Sequence, residues 1–569
     1  MKTGAAQLCS YLVSRGVSHV FGVPGSQNIA LYDALRQSSI HSVLTTNELA
    51  AGFMAIGYYR ASGRLAPLFT IPGPGFTWAL TPIAEALQDS AALLHVVGRT
   101  PGTDHRRYLQ AIDQRAVVAP LCKGTFRIDV AADIGPELEK AIALALSGEP
   151  GPVIVETLQS ALESAAQSDE RSAEQDRLDT SLADLDDVVT TLANAKRPII
   201  FVGQGAIGGS QRVRELAEMI GAPVCSTASG RGVLPEDHPL ALCFDGERGN
   251  VPEMNQLLEH SDLVLVLGCK LGFSGTIGFQ LKLPSDRLVR VDRSEDILGV
   301  TCPARVSFVE DVGSFLDRLL PKLVKHAGHF ECVWTRDEIE RRANRLRKSA
   351  ANIVEPFVQG VEHASVAHFF AALRRALPRD AVVCADSGLH QQMLRRHFDV
   401  LAPRGLLFPS DYQSMGFAIP AAIGAKLGAP ERTVVAVLGD GGFAMSGLEL
   451  LTAVREGISL TVIVLNDGYL GRIRLEQLAA LGRTSGVALH NPDFQAFARS
   501  VGANYALIER DTDSLLRTCI GEAGVTLVEV RLADSVNTYV VRAKGLVRAA
   551  TRKAFGPRMI KTLKKILPR

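Results

Sequence analysis

The chain has 569 residues, 47% hydrophobic and 21% charged, with a net charge of +1. That length suits about three domains of roughly 150–190 residues, each large enough for its own core. The near-zero charge excludes a nucleic acid-binding field spread over the whole molecule, and no apolar run reaches the roughly 18 residues of a membrane span. Nine cysteines are scattered with no Cys-x-x-Cys pair, which argues against a disulfide framework or zinc site and for a reducing compartment. The N-terminal MKTGAAQLCSYLVSRGV lacks a long apolar core with a cleavage site. It reads as an amphipathic helix, so the expected location is the cytoplasm.

Residues 1–165 alternate helical patterns with the apolar runs HVFGVPG, HSVLTTNE, PLFTIPGPG, LLHVVG and PVIVET. Continuous apolar runs of this kind are the mark of buried parallel strands. A polar stretch at 164–180 reads as a linker. A second block, 183–325, carries PIIFVGQGAIGG, APVCSTAS, LVLVLGCKLG, RLVRVDRS and ARVSFVED. Residues 326–360 are charged and helical in pattern. A third block, 361–540, carries AVVCADSG, TVVAVLGDGG, LTVIVLNDG, ANYALIE and VTLVEVRL. The expected fold class is α/β, with three doubly wound parallel-sheet domains. From Val541 to Arg569 there are ten Lys or Arg and no acid, so the rest of the chain is net negative.

In doubly wound sheets, ligands bind beyond the carboxyl ends of the strands. Two runs of the third block, AVLGDGG (436–442) and TVIVLNDG (461–468), end in Asp440 and Asn466 beside glycines. Either turn alone is ordinary strand-to-helix chemistry. As a pair they offer an anionic oxygen, an amide oxygen and close backbone approach at Gly441, Gly442 and Gly468. Hard oxygens suit Mg²⁺, and glycine-rich turns opening a helix cradle phosphate. The pair therefore points to a metal-bridged diphosphate.

A GDG followed about 25 residues later by Asn resembles the thiamine diphosphate motif. GVSHVFGVPGSQNIALYDAL (16–35), TTNELAAGFMAIGYYRASGR (45–64), IPGPGFTWALTPIAEALQDSAALLHVVG (71–98) and SDYQSMGFAIPAAIGAKLG (410–428) resemble the acetolactate synthase and benzoylformate decarboxylase group in that group's order. The resemblance implies pyrimidine-binding, central and diphosphate-binding domains, with thiamine diphosphate and Mg²⁺ as cofactors. It makes Glu48 the carboxylate that holds the proton at N1′ of the aminopyrimidine. Met415 becomes the apolar wedge under the cofactor, and the Gln413 carbonyl and Met415 N–H its pyrimidine contacts. Asp440, Asn466 and the Gly468 carbonyl become the metal ligands, with Gly439, Gly441, Gly442 and Leu470 around them. Ser387 and His390, in ADSGLH, occupy the place of the loop over the diphosphate. The family assembles as homodimers or homotetramers with active sites at the subunit interface.

For the reaction, Ser26, Gln110 and His105 fall where the resembled enzymes carry substrate-side residues. CKLGFSGT (269–276) lacks the Arg-Phe-Asp-Asp-Arg run with which acetolactate synthases touch FAD, so the resemblance does not carry FAD over. The leading expectation is a carboligase or decarboxylase acting on a 2-oxo acid. A second is a lyase or decarboxylase of an acyl-CoA. The basic tail would grip the acyl-CoA, since RMIKTLKKILPR has the spacing of a basic amphipathic helix. That helix also has the form of a membrane-surface contact. A third, of another class, is a non-catalytic cofactor-binding homologue with a regulatory or membrane-associated role.

Overall fold

The computed structural model describes residues 3–101, 107–165, 185–247, 249–326, 330–348, 358–360, 365–509 and 511–533. The basic tail from 541 lies outside them. No helix among the described residues is long and apolar enough to cross a membrane.

Three six-stranded parallel sheets form the framework. The first holds β1 (His19–Gly22), β2 (His41–Leu44), β3 (Leu68–Thr70), β4 (Leu93–Arg99), β5 (Gly124–Ile128) and β6 (Pro152–Leu158), in the order 2-1-3-4-6-5. The second holds β7 (Pro198–Val202), β8 (Val224–Ser226), β9 (Ala241–Leu242), β10 (Leu263–Leu267), β11 (Leu288–Asp292) and β12 (Val306–Val309), in the order 12-11-10-7-8-9. The third holds β13 (Val382–Ala385), β14 (Leu406–Leu407), β15 (Val434–Gly439), β16 (Leu460–Asn466), β17 (Asn504–Leu507) and β18 (Val525–Arg531), in the order 14-13-15-16-18-17. The first and third sheets thus share one topology. The second has the Rossmann order, with its crossover reversing between β7 and β10.

Five strands of each sheet are the apolar runs read from the sequence. The sixth of each, β5, β9 and β14, is an edge strand. An edge strand is buried on fewer sides, and β9 and β14 are two residues long, so neither period nor length marks them.

The first and third domains share a core. Phe53, Met54 and Ile56 of the helix Glu48–Ser62 pack with Phe417, Ile419 and Ile423 at the helix Ala418–Gly428. The two helices meet main chain to main chain. A Cβ on Gly57 would stand 2.1 Å from the Ala421 carbonyl oxygen, and one on Gly424 would stand 1.9 Å from that of Met54. Small residues at the crossing permit this approach; a methyl group there forces the helices apart.

Gly424→Ala should therefore cost about 2–3 kcal/mol through overpacking, a drop of roughly 2–4 °C in the thermal midpoint of a chain this size. Alanine at Gly208, which has no neighbour within 4 Å of an added Cβ, should leave the midpoint within about 1 °C.

Candidate active site

The switch point of a 2-1-3 sheet lies between its first and third strands, where crossovers leave in opposite directions and open a crevice. In the first domain this crevice is framed by the turns after β1, β3 and β4. Gln27 Nε2 donates to Gln110 Oε1 at 2.6 Å, and the Gly73 N–H donates to Gln114 Oε1 at 3.3 Å. Gln114 is buried and donates onward to the Gly98 carbonyl at 3.2 Å and to Glu156 Oε1 at 3.0 Å. Gln110 is held at φ +62°. Ser26 is exposed, and its neighbour Gln27, not Ser26, reaches Gln110. His105 lies outside the described residues.

Glu48 opens the helix Glu48–Ser62 one turn beyond β2. Asn47, extended, caps that helix by accepting from the Ala50 N–H at 2.8 Å, so Glu48 stands in the first turn, where free N–H groups favour an anion. It is half-buried. A Cβ on Gly75 would come within 2.9 Å of Glu48 Oε1, so glycine is what lets the turn after β3 lie against the carboxylate. Burial, and secondarily the Glu48 charge, push the Tyr32 hydroxyl pKa up.

In the third domain the switch point falls between β13 and β15, and carboxylates stand at both strand ends. Asp440, after β15, is 2% exposed. Its Oδ2 accepts from the Gly468 N–H at 2.9 Å and Asn491 Nδ2 at 2.6 Å, and its Oδ1 accepts from the Gly441 N–H at 3.1 Å. Burial raises its pKa against these hydrogen bonds. Gly441 and Gly442 follow because the space is taken: Cβ atoms there would meet Leu470 Cδ2 at 2.7 Å and Asp386 Cγ at 3.1 Å. Gly439 ends β15. Asn466 ends β16; its Oδ1 accepts from Asn491 Nδ2 at 3.0 Å and its Nδ2 donates to Glu529 Oε1 at 2.8 Å. Gly468 turns its N–H toward Asp440, and its carbonyl, the expected metal ligand, accepts from the Leu489 N–H at 2.8 Å with a second lone pair left. Asp467 is pushed up to about 7, by burial first and by the charge of Asp440 second.

Asp386, after β13, ties its own turn to the segment that leads into the helix Ala418–Gly428. It is fully buried and accepts from the N–H groups of Ser387 (2.8 Å), Gly416 (3.0 Å) and Ala418 (3.1 Å); burial raises it to about 6. His390 Nε2 stands 2.9 Å from the Asp386 carbonyl. A carbonyl only accepts, so Nε2 carries the hydrogen. Burial holds the ring down near 4; it is neutral at pH 7, with a bare Nδ1 beside Gly439. Ser387 Oγ donates to Gln413 Oε1 at 3.1 Å, and Gln413, at φ +62°, donates to the carbonyls of Pro409 and Ser410. Met415 is 40% exposed, unusual for a large apolar side chain in a loop pinned this closely.

The loop 410–415 is pinned from the first domain. Glu85 Oε2 accepts from the Ser414 N–H at 3.0 Å, and Asp89 accepts from the Ser410 N–H at 3.2 Å while pairing with Arg60 at 2.8 Å. Burial first, then the charge of Asp89, push Glu85 up to about 8. Sequence reasoning missed Asp386, Asn491 and Glu85. Asp386 shares the strand-end signal of Asp440; Glu85, within AEALQD, reads as an ordinary helix charge.

Asp440 Oδ2 and Asn466 Oδ1 converge on one point, the Asn491 nitrogen. Among the described residues no three His, Cys, Asp or Glu cluster to hold a metal. A divalent cation here would draw its remaining ligands from amide, backbone and diphosphate oxygens, and the hard-oxygen donor set fits Mg²⁺ in that manner. A separate cavity of about 570 Å³ opens where the three domains meet, at the carboxyl ends of β7, β10 and β11. CKLGFSGT, the stretch that departs from the FAD pattern, forms one wall.

Two sheets of one topology, each with polar residues at its strand ends, and a Rossmann-ordered sheet between them in the chain, define an α/β enzyme with a three-domain cofactor-binding framework. Models of thiamine pyrophosphate enzymes match in order: the N-terminal TPP binding domain over 2–117, the central domain over 185–319 and the C-terminal TPP binding domain over 386–530. The chain belongs to the thiamine pyrophosphate-dependent enzymes, which form or cleave carbon–carbon bonds. It is 33% identical over 554 residues to the probable 2-ketoarginine decarboxylase AruI of Pseudomonas aeruginosa, spanning 93% of this chain and 94% of that one. It is 30% identical to the acetolactate synthase isozyme 1 large subunit of Escherichia coli, over 94% of this chain and 95% of the other. The acetolactate synthase large subunit of Corynebacterium glutamicum is also 30% identical, over 88% and 81%.

Because the folded state holds Glu85 protonated to a higher pH than the unfolded chain does, its favourable contribution is complete below the ordinary carboxylate pKa and is lost as pH rises to about 8. Glu85→Gln keeps an oxygen for the Ser414 N–H and cannot ionise. Its thermal midpoint should gain on that of the unaltered protein as pH rises from about 5 to 8; a constant difference across that range refutes the assignment.

Proposed function

We propose that the chain is a thiamine diphosphate- and Mg²⁺-dependent enzyme that decarboxylates a 2-oxo acid and joins the resulting fragment to an acceptor, as an acetolactate synthase-like carboligase. The observation that carries the reading is the pairing of strand ends: Asp440, Asn466 and a glycine cradle at the ends of β15 and β16 in one sheet, and, in a second sheet of the same topology, a capped Glu48 beyond β2 that lies against the turn after β3. Relatives named for acetolactate synthesis and for 2-ketoarginine decarboxylation support the substrate class.

Asp440 and Asn466 would hold Mg²⁺, with the Gly468 carbonyl beside them, and the Gly441 and Gly442 region would receive the diphosphate beside Gly439, Ser387, His390 and Leu470. The Gln413 carbonyl and Met415 N–H would seat the aminopyrimidine, and the exposed Met415 side chain would pack against the cofactor. Bound thiamine diphosphate supplies an electron sink at thiazolium C2. Glu48 would hold a proton at N1′ of the bound aminopyrimidine. Gln110, held by Gln27, orients the substrate, with Ser26 and His105 on the same side.

Glu48 of one protomer serves the diphosphate domain of another. Support comes from the apolar surface on the segment after Asp440: Met445 is 51% exposed and Leu448 57%, with Trp78 of the first domain at 57%. That area suits burial against a second copy.

The purified protein with thiamine diphosphate and Mg²⁺ should release CO₂ from at least one of a panel of 2-oxo acids and form an acyloin or acetohydroxy acid. Formyl-CoA and aldehyde from 2-hydroxyacyl-CoA, without CO₂, would replace this reading with the lyase. Glu48→Gln should lower turnover at least about 10²-fold while cofactor affinity stays within about threefold; unchanged turnover refutes the role of Glu48.

A further inference from the structure

The segment that begins at Asp440 ends on the first domain. The helix Asp440–Ser446 and the turn Gly447–Glu449 lead into the helix Leu450–Arg455. Met445, Leu448 and Leu451 are exposed along it, whereas Glu449 is 0% exposed. A buried carboxylate needs donors, and Glu449 takes two of its three from across the domain boundary. Its Oε1 accepts from the Thr46 N–H at 3.1 Å and from the Thr46 hydroxyl; its Oε2 accepts from Thr452 Oγ1 at 2.8 Å. Thr46 stands two residues before Glu48, and Asn47 between them is the cap of the Glu48 helix. Thr45 Oγ1 donates to the Asn47 carbonyl at 2.8 Å. The flanks are fastened as well: Arg455 donates to the Leu44 carbonyl, and His41 Nε2 lies 2.6 Å from Glu456 Oε2.

We infer that Glu449 is a positioning residue: its buried carboxylate fixes the Thr46–Asn47 turn and so aims the Glu48 carboxylate at the aminopyrimidine. The inference rests on the proposed role of Glu48. It also means that one short segment carries a proposed metal ligand at its start and the aim of Glu48 at its end. In a dimer whose Glu48 serves the other protomer's cofactor, each protomer ties the diphosphate end of one site to the proton-holding end of the other. A brace that merely held the domains together would have no reason to place both Oε1 donors on the residue beside the helix cap.

The test uses the full chain with thiamine diphosphate and Mg²⁺, and reads hydrogen–deuterium exchange at C2 by NMR alongside cofactor affinity from tryptophan fluorescence. Glu449→Leu, which orphans both Thr46 donors, should slow exchange at least about tenfold with affinity within about threefold. Glu449→Gln should restore exchange to within about threefold of the unaltered protein, because its oxygen still accepts from Thr46 and the Thr452 hydroxyl can turn to accept from its amide. Thr46→Val, at an exposed position that tolerates change, should slow exchange in the same direction by less. Glu48→Gln is the control. Unchanged exchange in Thr46→Val and Glu449→Leu, with exchange lost in Glu48→Gln, overturns this inference alone. Exchange and affinity falling together overturn it in favour of a structural brace. Unchanged exchange in Glu48→Gln removes the role of Glu48 and this inference with it.

Discussion

The crossing of the helices Glu48–Ser62 and Ala418–Gly428 is the constraint on which the site depends. One helix starts at Glu48 and the other follows the Gln413–Met415 loop, so the contact at Gly57 and Gly424 sets the relation between two parts of the proposed site. Main chain against main chain leaves no flexible side chain to absorb a shift. The interior around the crossing is apolar and close-packed, and such a contact transmits displacement instead of damping it.

Around that apolar crossing, the polar loops are fixed by buried acids and not by surface ion pairs. Glu85 and Asp89 hold the loop 410–415, Glu449 holds Thr46, and Asp386 gathers the N–H groups of Ser387, Gly416 and Ala418. A carboxylate that accepts several N–H groups satisfies donors that a sharp loop would otherwise leave unpaired. Its charge is costly when buried, which is why Asp386 and Glu85 rise toward or past neutrality. Loops fixed this way resist bending, which suits a site whose chemistry depends on close positioning.

At the diphosphate end the balance is different. The charge of Asp440 raises the cost of ionising Asp467, burial raises that of Asp440, and the donors around Asp440 are Asn491, Gly441 and Gly468; a bound cation would supply the opposite charge. The neutral His390 and the glycine turns add no charge of their own. In the proposed function, affinity for the diphosphate would then rest on the cation and on backbone dipoles, with Asp440 serving both.

The sequence by itself determined the α/β class, the parallel sheets and the strand-end residues. Buried parallel strands must be continuous apolar runs, and a strand-to-helix turn with a ligand must carry Gly, Asp or Asn. Asp440 and Asn466 stand out at strand ends for that reason, Glu48 only through the family resemblance, and five strands of each sheet were legible as apolar runs. The edge strands β5, β9 and β14 were not, since few or half-exposed residues carry no period. Tertiary structure alone decided that Gly468 offers its N–H to Asp440, that Asn491 spans Asp440 and Asn466, and that Glu85 and Glu449 are buried acids holding loops of another domain. Each depends on a contact between residues distant in the chain, and a helix acid facing water has the same local pattern as one facing a loop.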